Sequence, residues 1–299
     1  MREKRALLTG GNGFLGKNLS KKLNEDGFEV SLFNEKINAD SDFENSIKGK
    51  DYLFHLAWQT DLGKSMKNPI ADISSDICGL VRLLEDCRKY NPNIKIIFPS
   101  TTTVIGHKNK IPSNEEEKEN PVSIYDANKL MAEKYFHVYF KNYGLKSVCL
   151  RLSNIFGEHQ RIDNPKRGVL NYMIGRALKN EPLTVHGDGN FVRDYSYVGN
   201  IIDAFVLASQ SEKTNGQVYV IGSGKGKTFN EVVLAIQKNA QKMYDSSSEI
   251  IHAPSPKTNR INKRNFVADS SKFRKDTGWF PKVSFEEGLK KTMEFYKNA

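Results

Sequence analysis

The sequence predicts an α/β fold, a doubly wound parallel sheet joined to a smaller C-terminal α/β unit. Three observations lead there. A short apolar run at residues 6–8 passes straight into a glycine-rich turn, TGGNGFLG at 9–16. A helix-period pattern follows at once, with Phe14, Leu15, Leu19 and Leu23 apolar and Lys17, Lys21 and Lys22 solvated. Strand and helix patterns then alternate to about residue 155, and one strand ends in a row of hydroxyls, Ser100 to Thr103. The C-terminal ends of strands are where open α/β sheets place their ligands.

The opening strand, turn and helix form the context in which a dinucleotide fingerprint is credible. Gly10 and Gly11 allow a tight turn, Gly13 lets a pyrophosphate approach the backbone, and Gly16 lets the helix pack on the strand. The free N–H groups of the helix N-terminus then face the phosphates. Gly27 closes that helix. The second strand, 29–33, ends at Asn34, the place of the acid that binds a ribose hydroxyl in a Rossmann-type site. Asn carries no charge to repel a 2′-phosphate, so NAD is expected with NADP left open. Asp40 could contact the adenine or be a plain loop carboxylate.

Residues 51–57 read as the third strand, with His55 as a satisfied core histidine and not a catalyst. A helix is expected over roughly 71–89, on the spacing of Ile73, Ile77, Leu80, Val81 and Leu84. A buried strand follows at 94–98. The acidic run 114–119 reads as a solvated loop. Ser123 can cap a helix starting near Ile124 and closing at Gly144, which puts Tyr125 and Lys129 one turn apart on one face.

Composition narrows the class. The 299 residues are 38% hydrophobic and 27% charged, so a large core is expected and disorder is not. No apolar run approaches the roughly 20 residues of a membrane helix. Residues 1–4 lead into a strand without a signal-peptide apolar region, so a cytoplasmic protein is expected. Cys78, Cys87 and Cys149 are scattered and read as buried reduced thiols, with no metal site. The charge of +10 is spread over the whole chain, not gathered into a basic, aromatic stripe, so no nucleic-acid polymer is expected. It suits a phosphate-bearing small substrate or a solvated lysine surface.

With these motifs in order the chain resembles the extended short-chain dehydrogenase/reductases that act on nucleotide sugars, over nearly its whole length. TGGNGFLG matches their cofactor turn, STTTVIG (100–106) their strand-end segment and YDANK (125–129) their catalytic pair. RLSNIFG (151–157) matches the strand and turn after it, and HGDGNFVRDYSYVGN (186–200) looks like their substrate-phosphate segment. VIGSGKGKTFNEV (220–232) and ADSSKFRKDTGWFPKVSFEEGL (268–289) look like their C-terminal half.

The resemblance implies Tyr125 as base, Lys129 as its cationic partner and Thr101 as the hydroxyl that binds the reacting group, with Thr102 its nearest rival. It implies cofactor contacts at Gly10, Gly13, Phe14, Leu15, Gly16, Asn34, Asp40, Ala57, Tyr125 and Lys129. Thr102, Asn154, Arg193 and Arg260 would meet a nucleotide-diphosphate sugar, the register of Arg260 being open by a few residues. Asn200 replaces the family's Asp, and nothing hangs on it. The acid pair that follows the threonine in dehydratases is Thr102 and Thr103 here, and the decarboxylases' acid is missing, so the base pocket is expected to offer no carboxylate. A 4-epimerase holding NAD or an NADPH-dependent 4-keto reductase remains. A non-catalytic cofactor sensor would need a lost Tyr or Lys, and both are present. The implied architecture is a dinucleotide-binding domain of 1–156 with about 191–222, a substrate-binding domain of 157–190 with about 223–299, and a homodimer.

Overall fold

The computed structural model describes residues 3–106, 111–254 and 264–298. The N-terminal half alternates as expected: β1 (Lys4–Thr9), α1 (Phe14–Glu25), β2 (Phe28–Phe33), a one-turn α2 (Glu44–Ile47) and β3 (Tyr52–His55). Then come α3 (Leu62–Lys67), α4 (Pro69–Asp72), a π-helical turn (Ile73–Cys78), α5 (Gly79–Tyr90) and β4 (Lys95–Thr101). After a 3₁₀ turn (Thr102–Ile105) come α6 (Ile124–Tyr143), β5 (Ser147–Leu152), β6 (Asn154–Phe156), α7 (Val169–Leu178) and β7 (Leu183–His186). The chain continues through β8 (Val192–Tyr197), α8 (Val198–Gln210), β9 (Gln217–Ile221) and β10 (Gly226–Thr228). It ends with α9 (Phe229–Tyr244), β11 (Ile250–Ala253), α10 (Ser271–Thr277) and α11 (Phe285–Lys297).

The main sheet has the order β2-β1-β3-β4-β5-β9, all parallel. Parallel strands are covered on both faces, so their sequences are apolar at successive positions. Ala6 and Leu8 enter one core with α1 and α8, while Leu7 enters the other with α5 and α6. The strand order turns back between β1 and β3, which opens a crevice at the C-terminal ends of those two strands. A small sheet, β10-β8-β6, and a parallel pair, β11-β7, lie outside the main sheet. A further core gathers Phe156, Ile174, Val185, Phe229, Ile236 and Leu289.

The expected helix over 71–89 forms, with a π turn at Ile73–Cys78 inside it before the α period resumes. Three expectations need correction. The 94–98 strand runs on to Thr101, so the first hydroxyls belong to the strand itself. The acidic run is not merely solvated: Glu115 accepts the Val220 N–H, and Glu119 pairs with Arg151 and Lys134. Cys78 is exposed, whereas Cys87 and Cys149 are buried, and all three are free.

Two polar anchors lock the helices onto this framework. Arg151 of β5 holds Glu133 of α6 through contacts of 2.7 and 3.0 Å, and Ser100 of β4 donates to the same carboxylate. This network fixes α6 against the ends of β4 and β5. Asn200, given no role by the sequence, ties α8 to the C-terminal segment: its side chain takes the N–H groups of Lys282 and Val283 at 3.0 and 2.9 Å. Among the described residues no helix is long and apolar enough to cross a membrane.

Candidate active site

The glycine turn sits in the crevice. Gly10 has φ +68°, and a Cβ there would stand 2.7 Å from the Ala57 nitrogen; one on Gly16 would stand 2.4 Å from the Gly10 carbonyl. Both positions therefore require glycine. Gly13 is the N-cap of α1, so no side chain caps the helix, and no acid stands in its first turn. Its first N–H groups are left without intrahelical partners, and an anion suits them. The side chains of Phe14 and Leu15 pack against the core, so only their backbone can serve a ligand.

Around the turn, Asn12 donates to Asn34, just past the end of β2, at 3.1 Å. Ala57 N–H donates to Thr9 Oγ1 at 3.2 Å, and that hydroxyl meets His55 Nδ1 at 2.8 Å. Burial drives His55 down to about 3, so it is a neutral, hydrogen-bonded core residue. Asp40 lies on an exposed turn, where its own N–H donates to Asn38. Beyond β3 a cavity of about 240 Å³ is lined by His55, Ala57, Trp58, Gln59 and Asp76. The indole Nε1 of Trp58 is buried there with no hydrogen-bond partner. An uncapped helix start, a glycine cradle and an orphaned donor at one crevice fit a dinucleotide.

α6 begins as its sequence dictates, with Ser123 Oγ accepting the Asp126 N–H at 3.1 Å, and Gly144 closes it at φ +69°. Tyr125 and Lys129 follow one turn apart. Lys129 is 2% exposed and donates from Nζ to the Pro99 carbonyl at 2.7 Å. Its ammonium lies 4.2 Å from the Trp58 ring, 4.3 Å from Phe98 and 6.0 Å from Tyr125. Burial lowers Lys129 to about 7, against the pull of the Asp76 carboxylate. Tyr125 is pushed well above the ordinary phenol range, first by burial, then by the charges of Asp126 and Asp76; Arg264 and a hydrogen bond from Thr101 work the other way.

Three residues that pattern reading missed belong here. Asp76 stands in the π turn, 7% exposed, and both its oxygens accept the Gln59 N–H, at 3.2 and 3.3 Å. Burial raises it to about 6. π turns recur at functional sites, but nothing in an amphipathic repeat announces one. Asp126 is fully buried and accepts the Thr103 hydroxyl, which corrects the expectation that the pocket holds no carboxylate. The only local signal was the S-x-x-D spacing from Ser123, which marks a helix start. The third is Arg264, whose charge acts on both Tyr125 and Asp126.

On the substrate side, β6 pairs with β8 so that Asn154 lies opposite Tyr195, two residues past Arg193. Asn154 is exposed, and Arg193 is buried with its guanidinium 5.2 Å from the Phe191 ring. Burial and the neighbouring Arg264 bring Arg193 down to about 10. The like charges of buried Arg193 and part-buried Arg264 act on each other there, which an anion would relieve. Arg260 lies outside the described residues; Arg264, from the same NRINKR stretch, is the arginine that reaches the site. Thr101 acts on the Tyr125 phenol, while Thr102 is buried in the 3₁₀ turn.

The profile of the NAD dependent epimerase/dehydratase family matches residues 6–222. Among solved structures, the chain is similar to a UDP-glucose 4-epimerase from Thermotoga maritima with UDP-glucose: 31% identical, TM-score 0.89, covering 98% of this chain and 99% of that one. It is also similar to a UDP-glucose 4-epimerase from Thermus thermophilus in complex with NAD: 30% identical, TM-score 0.86, covering 99% of each chain. A UDP-N-acetyl-alpha-D-glucosaminuronate decarboxylase from Bacillus cytotoxicus is 28% identical, over 99% of this chain and 98% of its own.

The burial of Lys129 has a direct consequence. In the cofactor-free protein its ammonium should lose its proton near pH 7, charged below and neutral above. Titration of ¹³Cε-labelled lysine by NMR, with the resonance assigned by its loss in Lys129→Met, should give that midpoint. A midpoint at the ordinary lysine value of about 10.4 would contradict it.

Proposed function

The chain belongs to the NAD dependent epimerase/dehydratase family, and from that premise we propose that it is a nucleotide-sugar 4-epimerase. Its substrate is an NDP-hexose of the UDP-glucose or UDP-N-acetylglucosamine type, inverted reversibly at C4. One observation carries this reading: Tyr125 and Lys129 stand one turn apart on α6 beside Thr101, and the carboxylate hydrogen-bonded to the threonines there, Asp126, has no exposed surface. Elimination or decarboxylation would need an acid or base touching the sugar, and neither Thr102 nor Thr103 can be one. Similarity to UDP-glucose 4-epimerases over almost the whole chain supports the same conclusion.

NAD, when bound, supplies the reversible two-electron acceptor at C4. The chain supplies the rest. Gly10, Gly13 and Gly16, with the N–H groups of Phe14 and Leu15, hold the pyrophosphate, and Asn34 faces a ribose. Asp40 and Ala57 complete that rim. Tyr125 takes the C4 hydroxyl proton and gives it back. Ionising a phenol of pKa about 10 at pH 7 costs about 4 kcal/mol, and burial adds to this. The cation of Lys129 offsets part of the cost. Thr101 orients the reacting hydroxyl, with Thr102 behind it. Asn154 and Arg193, with an arginine of the NRINKR stretch, Arg260 or Arg264, hold the diphosphate while the hexose turns.

The dinucleotide-binding domain is residues 1–156 with about 191–222, and the substrate-binding domain is 157–190 with about 223–299. The core of Leu170, Ile174, Phe229, Ile236 and Leu289, which Phe156 and Tyr195 of the first unit join, supports that division. Met66, Ile70 and Ile73, and Met131 and Val138 of α6, are exposed apolar side chains on elements that pack together, and we take them as a surface for a second copy of this chain. Sedimentation equilibrium should return twice the 33.9 kDa chain mass; a monomer at micromolar concentration would refute the dimer.

Incubation with UDP-glucose and with UDP-N-acetylglucosamine, NAD present and no reductant added, should yield the C4 epimers by NMR. Tyr125→Phe should fold, bind cofactor and lose nearly all turnover. Failure on both sugars, together with NADPH-dependent reduction of a 4-keto-6-deoxy sugar nucleotide, would replace the epimerase reading with a reductase.

A further inference from the structure

A chain of hydroxyls runs from Tyr125 into the protein and ends on a carboxylate. The Thr101 hydroxyl acts on the Tyr125 phenol as a hydrogen-bonding group, holding its pKa down against burial. The Thr101 and Thr103 hydroxyls are 2.9 Å apart, and the Thr103 N–H donates to Thr101 Oγ1 at 3.2 Å. Thr103 Oγ1 donates to Asp126 Oδ1. Asp126 has no exposed surface, and its other oxygen, Oδ2, is buried with no hydrogen-bond partner.

Counting hydrogens fixes the direction of this chain. An ionised carboxylate only accepts, and a hydroxyl has one hydrogen to give. The Thr103 hydrogen is committed to Asp126, so towards Thr101 the Thr103 oxygen can only accept. The Thr101 hydrogen then has two destinations, Thr103 Oγ1 or the Tyr125 oxygen. With Tyr125 protonated, the phenol donates to Thr101 and Thr101 donates to Thr103. With Tyr125 ionised, Thr101 turns its hydrogen to the phenolate. One rotating hydrogen follows the state of the base, and the Thr103–Asp126 bond is what leaves Thr101 that freedom.

We propose that Asp126 is a positioning residue for the reaction, acting through Thr103 and Thr101 to set the direction of the hydroxyl hydrogens beside Tyr125. This rests on the reading of Tyr125 as the base. The charges facing Tyr125 are Lys129 and Asp126 on its own helix, Asp76 from the π turn and Arg264 from the C-terminal segment, with Arg193 next to Arg264. Among the described residues Asp126 is the one of these that is hydrogen-bonded into the threonine chain. A purely structural explanation also exists, because an acid in the first turn of a helix favours its N-terminus. That explanation predicts a loss of stability and nothing else.

The two are separated by Asp126→Asn in the NAD-loaded enzyme. Removing a buried negative charge beside the Tyr125–Lys129 pair should move the acid limb of the kcat/KM–pH profile towards lower pH by about one unit. The ¹³Cζ resonance of Tyr125, assigned by its loss in Tyr125→Phe, should shift its midpoint the same way. A lowered Tm with an unmoved limb and resonance would overturn the proposal. Thr103→Val cuts the chain without touching the carboxylate, so kcat should fall about tenfold with KM within twofold, a fraction of what a positioned proton acceptor supplies; wild-type kcat in that variant would also overturn it. Full turnover by Tyr125→Phe would bring down the base reading and this proposal together, whereas an inactive Tyr125→Phe beside an unmoved Asp126→Asn limb removes only the role of Asp126.

Discussion

A lysine ammonium sealed inside the sheet is the constraint around which the rest of the site is built. Taking a cation out of water is costly unless something compensates. Lys129 has one carbonyl, that of Pro99, and the faces of Trp58 and Phe98. Asp76 supplies the nearest opposing charge from the π turn. The hydrogen bond to Pro99 requires α6 to lie across the end of β4 at one height and one rotation. The Arg151–Glu133–Ser100 network, one helical turn further on, fixes both. Tyr125, one turn earlier, is thereby brought to Thr101 at the mouth of the crevice.

The other half of the site comes from sheet topology. The strand order turns back between β1 and β3, and the glycine turn packs so closely on β3 that a Cβ on Gly10 would stand 2.7 Å from the Ala57 nitrogen. α1 delivers an uncapped N-terminus to one side of the crevice. β8 and the 264–268 segment deliver Arg193 and Arg264 to the other. Positive ends on both sides, with a proton acceptor between them, suit a ligand carrying phosphates at both ends of the reacting centre. That is the arrangement of a dinucleotide meeting a nucleotide-diphosphate sugar.

Local chemistry was legible in the sequence. The glycine turn, the Ser123 cap, the Gly27 and Gly144 stops and the Tyr125–Lys129 spacing are each written within a few residues. Each stands in the structure as the spacing requires. What stayed hidden depends on contacts between distant segments. Asp76 faces the lysine because the helix widens at Ile73–Cys78, and the apolar repeat across it looked regular. Asp126 points at Thr103, 23 residues earlier, while its spacing from Ser123 marks only a helix start. Glu115 and Glu119 looked like solvated charge until β9 and Arg151 came to meet them. Asn200, to which the sequence assigned no role, is a structural bracket for the C-terminal segment. Burial of a charge, and the partner that makes it tolerable, are tertiary facts, which no single-segment pattern encodes.

The epimerase reading says that one site oxidises C4 and then reduces the same carbon from the opposite face, with the proton held by Tyr125 in between. Isotope at C4 tracks this directly. UDP-glucose carrying deuterium at C4, converted in ordinary water with catalytic NAD and no reductant, should give the C4 epimer with its deuterium retained at C4. Loss of the label to solvent, or its appearance in released cofactor, would contradict the mechanism proposed for this site.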